Sequence, residues 1–229
     1  MKKLFKIIMV LLMCMVNPVH ALEINDKDVI IIDGDNQHEI FEIDETRYCS
    51  ADQTWVTNPC QSSINNLAIV VAGGRTAGYE YAADFLAASI NQNTKTLRYT
   101  LSSDLSEKVE QDRLYEQAYE DMIKILDETS KVNKKTISGE LEGSYRFKTG
   151  DLYLALNKVD IDYSATYDGE WVVTLRFSDT YNFEHNNWAG YGSSLGSAAV
   201  SVLNNYAATA MSMGCLSEYE VEVFVRFTY

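Results

Sequence analysis

Polar and apolar positions alternate with a period of two through much of the C-terminal half. Val159, Ile161, Tyr163 and Ala165 lie between charged or polar residues. After a turn at Asp168-Gly169, Trp171, Val173, Leu175 and Phe177 alternate with Val172, Thr174, Arg176 and Ser178. A period of two sends successive side chains to opposite faces, so these runs predict antiparallel strands with one covered face. A last strand repeats the pattern, with Val221, Val223, Val225 and Phe227 set against Glu220, Glu222, Phe224 and Arg226. Between these strands the period changes: Leu195, Ala199, Val202, Tyr206, Ala210 and Met213 recur every three or four residues. That spacing predicts a helix laid on the sheet, ended by Gly214 where a C-cap needs positive φ. The small residues Gly196, Ser197, Ala198, Ala207 and Ala208 would let it approach closely.

Upstream the elements are less regular. Asp28 to Asp33 and Glu39 to Asp44 are apolar-rich runs around Gly34-Asp35-Asn36-Gln37 and read as a hairpin. Leu67 to Ala72, then Gly73-Gly74, then the alanine-rich stretch from Tyr79 to Ile90 read as a strand-to-helix corner or a helix pair made tight by glycine. A phosphate-cradling loop would need GxGxxG spacing or a P-loop lysine, and neither is present. Ser103-Asp104 opens a charged amphipathic helix carrying Leu105, Val109, Tyr115, Ala118, Met122, Ile125 and Leu126. Lys131 to Lys135 reads as a linker, Ile137 to Lys148 as extended chain, and Gly150-Asp151 as the start of a short helix through Leu156. The class is therefore α+β, a mainly antiparallel sheet covered by helices on one face.

The first 21 residues change the picture. Lys2, Lys3 and Lys6 precede an apolar run from Ile7 to Val16, and Val19-His20-Ala21 carries small or apolar residues at the positions a cleavage site requires. This is the order of a signal peptide, cut after Ala21, and the apolar run is half the ~20 residues a spanning helix needs. Cys14 is preceded by Met13 where a lipoprotein signal has a small residue, so no lipid anchor is read. The chain then divides into a signal peptide at 1–21, an N-terminal hairpin and cysteine loop at 22–66, and an α+β domain at 67–229.

Cleavage removes three lysines, which takes the formal net charge of −14 three units further negative. Such a surface repels phosphate backbones and anionic lipid, which argues against nucleic acid and polybasic membrane docking. The uncharged run from Asn186 to Ser217 carries too many Gly, Ser and Asn residues for a spanning helix, so no transmembrane segment follows signal cleavage. Three cysteines remain. In an oxidising compartment Cys49 and Cys60 would close a short loop around Trp55 and Pro59, and pairing of either with Cys215 is the alternative.

Candidate chemistry gathers between the strand ending near Ser178 and the covering helix. Asp179, Tyr181, Asn182, Phe183, Glu184, His185 and Trp188 put two carboxylates, a phenol, an imidazole and amides on one loop. Asp179 with His185 would make a base and its orienter, Tyr181 would join them as a catalytic phenol, and Asn182, Phe183, Glu184 and Trp188 would bind. In the bland reading Asp179 and Asn182 cap turns, the aromatics pack on the sheet and His185 is exposed. GxSxG, HExxH and paired CxxC motifs are absent, and neither a metal nor a cofactor is called for.

The order of motifs resembles a C-terminal domain of bacterial polymorphic toxins and secreted effector-like proteins. It is carried by Tyr81-Ala82-Ala83-Asp84-Phe85-Leu86, Ser138-Gly139-Glu140-Leu141-Glu142-Gly143-Ser144 and Gly150-Asp151-Leu152-Tyr153-Leu154-Ala155-Leu156. Asp179-Thr180-Tyr181-Asn182-Phe183, the turn from Met211 to Leu216 and the Tyr-x-Val-x-Val strand from Tyr219 complete it. The Asp-x-Tyr stretch is also distantly similar to the catalytic stretch of the colicin M family, which cleaves a lipid-linked peptidoglycan precursor. Here Asn182 stands where that family has an aspartate, and no His-Arg pair follows. The resemblance implies a periplasmic or secreted toxin-like effector, with an envelope component or a cognate immunity protein as partner, and assigns it no reaction; within that class, the enzymatic reading is an envelope phosphodiester hydrolase using Asp179, Tyr181 and His185. The alternative is an exported, non-enzymatic binding protein presenting Tyr181, Phe183 and Trp188.

Overall fold

The computed structural model describes residues 29–33, 41, 59–130, 135–148, 150–185 and 195–229. The signal peptide, Cys49, Trp188, the expected second strand of the N-terminal hairpin except Phe41, and most of the linker lie outside them. The described residues form six helices and a seven-stranded sheet in two compact units. One unit is drawn from His38–Thr94 and Tyr181–Tyr219, the other from Lys27–Gln37, Lys95–Thr180 and Glu220–Tyr229. The α+β class stands.

The first unit contains α1 (Pro59–Ala77), α2 (Glu80–Ile90) and α6 (Leu195–Ser212). The expected boundary at residue 66 falls inside α1, and the apolar run from Leu67 to Ala72 is helical. A short apolar run fits a strand or a buried helix equally, and what decides is the wider spacing: Ile64, Leu67 and Val71 recur at helical intervals and are all buried. Gly78, at φ +81, ends α1 by accepting a backbone turn that L side chains resist. Gly78 N–H donates to Arg75 O and Tyr79 N–H to Gly74 O, the paired bonds of a Schellman cap. The turn folds α2 back on α1. At their crossing a Cβ on Gly74 would sit 3.2 Å from the Ala83 Cβ. Arg75 ties the pair electrostatically, giving Nη2 and Nε to Asp84 Oδ1 at 2.7 and 2.9 Å, and a further bond to the Phe41 carbonyl.

On α6 the expected apolar stripe holds only in part. Ala210 is buried as expected, but Val202 and Met213 are 50% and 46% exposed, while Ser201, Ala207 and Ala208 are buried. The face of small residues packs because it lets backbones approach, and the larger apolar side chains are left outside. Gly214 caps α6 as expected, at φ +74, with Gly214 N–H on Met211 O and Cys215 N–H on Ala210 O.

The second unit holds the sheet: β1 (Val29–Ile32), β2 (Thr96–Tyr99), β3 (Thr136–Glu140), β4 (Tyr145–Arg146), β5 (Lys158–Tyr167), β6 (Trp171–Tyr181) and β7 (Tyr219–Thr228). Its order is β1-β2-β7-β6-β5-β3, with β4 also on β5. The β5–β6 hairpin turns at Gly169, φ +88, as its Asp-Gly pair predicts. Trp171 and Tyr229 exchange both backbone hydrogen bonds, so β6 and β7 are antiparallel. The other end departs from expectation: β1 pairs with β2 and β2 with β7, both in parallel. Val29 to Ile32 thus take their described partner from Thr96 to Tyr99, a four-residue strand too short to announce itself by alternation.

The expected charged helix is two helices. Ser103 caps α3 (Asp104–Glu110), and Asp112 Oδ1 then accepts from Leu114 N–H to restart the chain as α4 (Arg113–Ser130). Leu114, Ala118, Met122 and Leu126 form the buried stripe of α4. α4 packs on the sheet face that carries Trp171 and Phe227: the Tyr119 and Phe227 rings are 4.7 Å apart, and Trp171 Nε1 donates to Ser130 Oγ. α5 (Gly150–Ala155) is the short helix expected there. Trp171, Val173, Leu175 and Phe177 are essentially fully buried, each contributing ~1.5–3 kcal/mol of apolar burial.

The opposite face carries a charge ladder over four strands. Arg98 of β2 bonds Glu222 of β7, Glu222 bonds Arg176 of β6, and Arg176 bonds Asp162 of β5. No described helix is long and apolar enough to cross a membrane.

Candidate site at the end of β6

The alternation that buries Trp171, Val173, Leu175 and Phe177 continues to Asp179 and Tyr181, so a carboxylate occupies a position the strand period assigns to the core. The strand registers set its neighbours. Asp160 pairs with Ser178, which puts Val159 opposite Asp179 on β5. Counting from the Trp171–Tyr229 pair puts Val221 opposite it on β7. Asp179 is therefore flanked by two valines across the strands and by Phe177 and Tyr181 along its own.

That setting explains its acidity. Burial pushes the Asp179 carboxyl up to about 7, because an apolar environment disfavours the charged form. A hydrogen bond from the Thr180 backbone pulls the other way, Asp160 adds repulsion, and Lys158 offsets part of it. A carboxyl half-protonated near neutrality can both take and return a proton, the property a general acid–base needs. His185 is not among the groups that set its charge, and lies exposed on the chain after β6.

Tyr181 ends β6 and is 6% exposed. Its ring meets Phe85 at 5.6 Å and Phe183 at 5.2 Å, both edge-on, and Tyr219 at 5.4 Å. Such edge-on and offset contacts are favourable packing geometry. Phe183 is half-buried, and its N–H donates to Met211 Sδ at 3.5 Å. The pair expected to be presented outward is turned inward. Asn182, Glu184 and His185 are exposed, and Asn204 Nδ2 donates to the Glu184 carbonyl at 2.6 Å, which fixes the backbone beneath them. Among the described residues, Tyr181 and Phe183 pack inward, and Asn182, Glu184 and His185 face out.

Cys60 is bonded to Cys215, so Cys49 is not its partner. The loop pairing fails because α1 starts at Pro59 and carries Cys60 to the turn after α6, 155 residues along the chain. This bond also removes Cys215 as a thiol nucleophile. Among the described residues no group of three His, Cys, Asp or Glu is placed to hold a metal ion.

Sequence reasoning passed over Val159, Lys158 and Asp160 as neighbours of Asp179. The register comes from Tyr167 pairing with Trp171 across a three-residue loop, Asp168-Gly169-Glu170, and a two-residue reading of the Asp-Gly pair would have set Lys158 opposite Asp179 instead. No family model, curated protein or solved structure matches this chain.

Proposed function

We propose that this chain is an exported bacterial protein, periplasmic or secreted, that acts as a toxin-like effector domain with Asp179 as its proton-transfer group. The observation that carries the compartment is the Cys60–Cys215 bond, since disulfides persist in oxidising compartments and are rare in the cytosol. It agrees with the signal-like order of the first 21 residues. The core-facing carboxyl of Asp179 supports acid–base chemistry there. The reaction class proposed is hydrolysis of a phosphodiester-linked envelope precursor, in which Asp179 protonates the leaving oxygen. Tyr181 would position the strand end, and Asn182, Glu184 and His185 would meet the substrate. An envelope substrate or a cognate immunity protein is the partner this reading implies.

The test directs residues 22–229 to the periplasm of a sensitive cell. Growth arrest with cleavage of lipid-linked precursor is expected, and Asp179→Asn should abolish both while the circular dichroism spectrum is kept. Normal growth at good expression overturns the effector reading. Arrest with intact precursor overturns only the hydrolase step and favours binding through the exposed Asn182, Glu184 and His185.

A further inference from the structure

The junction at the C-terminal end of α6 is held in two independent ways. Noncovalently, Ser217 is locked to the end of α2: its N–H donates to Ser89 O at 3.1 Å, its Oγ to Asn93 O at 2.6 Å, and Ser89 Oγ donates to its carbonyl at 2.6 Å. Gln92 Nε2 adds a bond to the Cys215 carbonyl at 2.8 Å. These four bonds join α2 to the turn without involving α1. The start of α1, in contrast, reaches this turn through the Cys60–Cys215 bond. The rest of α1 is held elsewhere, by the buried Ile64, Leu67 and Val71, by Asn66 Nδ2 on Tyr206 Oη at 3.0 Å, and by the Arg75–Asp84 pair.

We propose that Cys60–Cys215 is a reducible clamp whose opening frees the first turn of α1 while the rest of the α1–α2 hairpin and the α2–Ser217 junction stay in place. Accessibility favours one direction of attack. Cys60 is half-buried and Cys215 is 1% exposed, so an incoming thiolate reaches the Cys60 sulfur. A dithiol supplies the electrons: its first thiolate bonds Cys60 Sγ and expels Cys215 as thiolate, which takes up a proton. Its second thiol then closes on the first, releasing Cys60 as a thiol and leaving the reductant as a cyclic disulfide. An exported protein would keep the clamp shut in an oxidising compartment and open it on reaching a reducing one, which frees the first turn of α1.

Hydrogen–deuterium exchange on the full chain tests this, comparing the oxidised protein with the same protein in dithiothreitol and with the double variant Cys60→Ser, Cys215→Ser. Amides of residues 63 and 64, whose helical acceptors are the Pro59 and Cys60 carbonyls, should exchange about tenfold faster or more in the reduced protein and in the double variant, with residues 67–75, 83–91 and 215–219 unchanged. Unchanged exchange at 63 and 64 would overturn the clamp. So would a uniform loss across all three helices, which would make the bond a staple for the whole unit. If the double variant does not fold while the reduced wild-type chain keeps residues 83–91 protected, the dithiothreitol comparison decides.

Discussion

Arg176 Nη1 donates to Glu222 Oε1 at 2.6 Å across adjacent strands, and the carboxylate it holds is 3% exposed on a face that is otherwise open to solvent. Glu222 is covered by the guanidinium groups of Arg176 and Arg98, which are themselves 38% and 41% exposed. The arginines screen the carboxylate from water and replace its hydration with charge-assisted hydrogen bonds.

Removing one cation should leave that carboxylate under-compensated. Arg176→Leu is expected to lower unfolding free energy by about 1–3 kcal/mol, less than a fully buried pair would lose, because Arg98 remains. Urea denaturation of Arg176→Leu, Glu222→Gln and the double variant checks it. The double variant should be at least about 1 kcal/mol more stable than the sum of the singles predicts.

Asp179 gives a pH dependence with a definite sign. Its folded-state carboxyl is raised to about 7 from an ordinary value of 3.8, so between those values the folded protein binds the proton and the unfolded chain does not. Stability contributed by this group is therefore complete below about pH 4, declines as pH rises, and is fully lost above about pH 7. Asp179→Asn should match the parent at pH 4 and exceed it at pH 8 by on the order of 1–3 kcal/mol. Chemical denaturation at both pH values measures the difference. A gap that grows towards low pH would contradict burial as the cause.

The α1–α2 crossing sets two effects against each other at Gly74. Alanine gains up to about 1 kcal/mol in helix propensity, but its Cβ would stand 3.2 Å from Ala83 Cβ, which is fixed to the backbone and yields little. Gly74→Ala should fall within about 1 kcal/mol of neutral, whereas Gly74→Leu should cost about 2 kcal/mol or more by forcing the helices apart. Thermal unfolding of the two variants separates steric fit from propensity.

Tyr145 is buried and gives its hydroxyl to Asp121 Oδ2 at 3.0 Å, while Asp121 Oδ1 is met by Lys124 at 2.6 Å. Because Asp121 keeps its lysine and reaches solvent, Tyr145→Phe should cost only about 1 kcal/mol. Tyr145→Ala should cost about 3–5 kcal/mol, as it also empties a core position. A denaturation midpoint series compares them.

Several features were legible from residues alone. The alternation of β5, β6 and β7, the Asp168-Gly169 turn, the Ser103 cap, the short helix at Gly150 and the Gly214 cap each depend on a few neighbouring residues. A strand face, a cap or a positive-φ turn is specified within one or two turns of chain, and so the local pattern sufficed. The position of Asp179 on the core face was implicit in the same alternation, since it follows Phe177 by two.

What the tertiary structure decided were the choices between distant partners. Period alone left Leu67 to Ala72 undecided between strand and helix, and only the packing of Ile64, Leu67 and Val71 resolved it. Cys60 chose Cys215 over the nearer Cys49, β1 paired in parallel with β2, and α6 buried its small residues rather than Val202 and Met213. The raised Asp179 carboxyl arises from burial on a sheet whose neighbouring strands set Val159 and Val221 opposite it. In each case the energy comes from contacts between segments far apart in the chain, whose meeting no local pattern encodes.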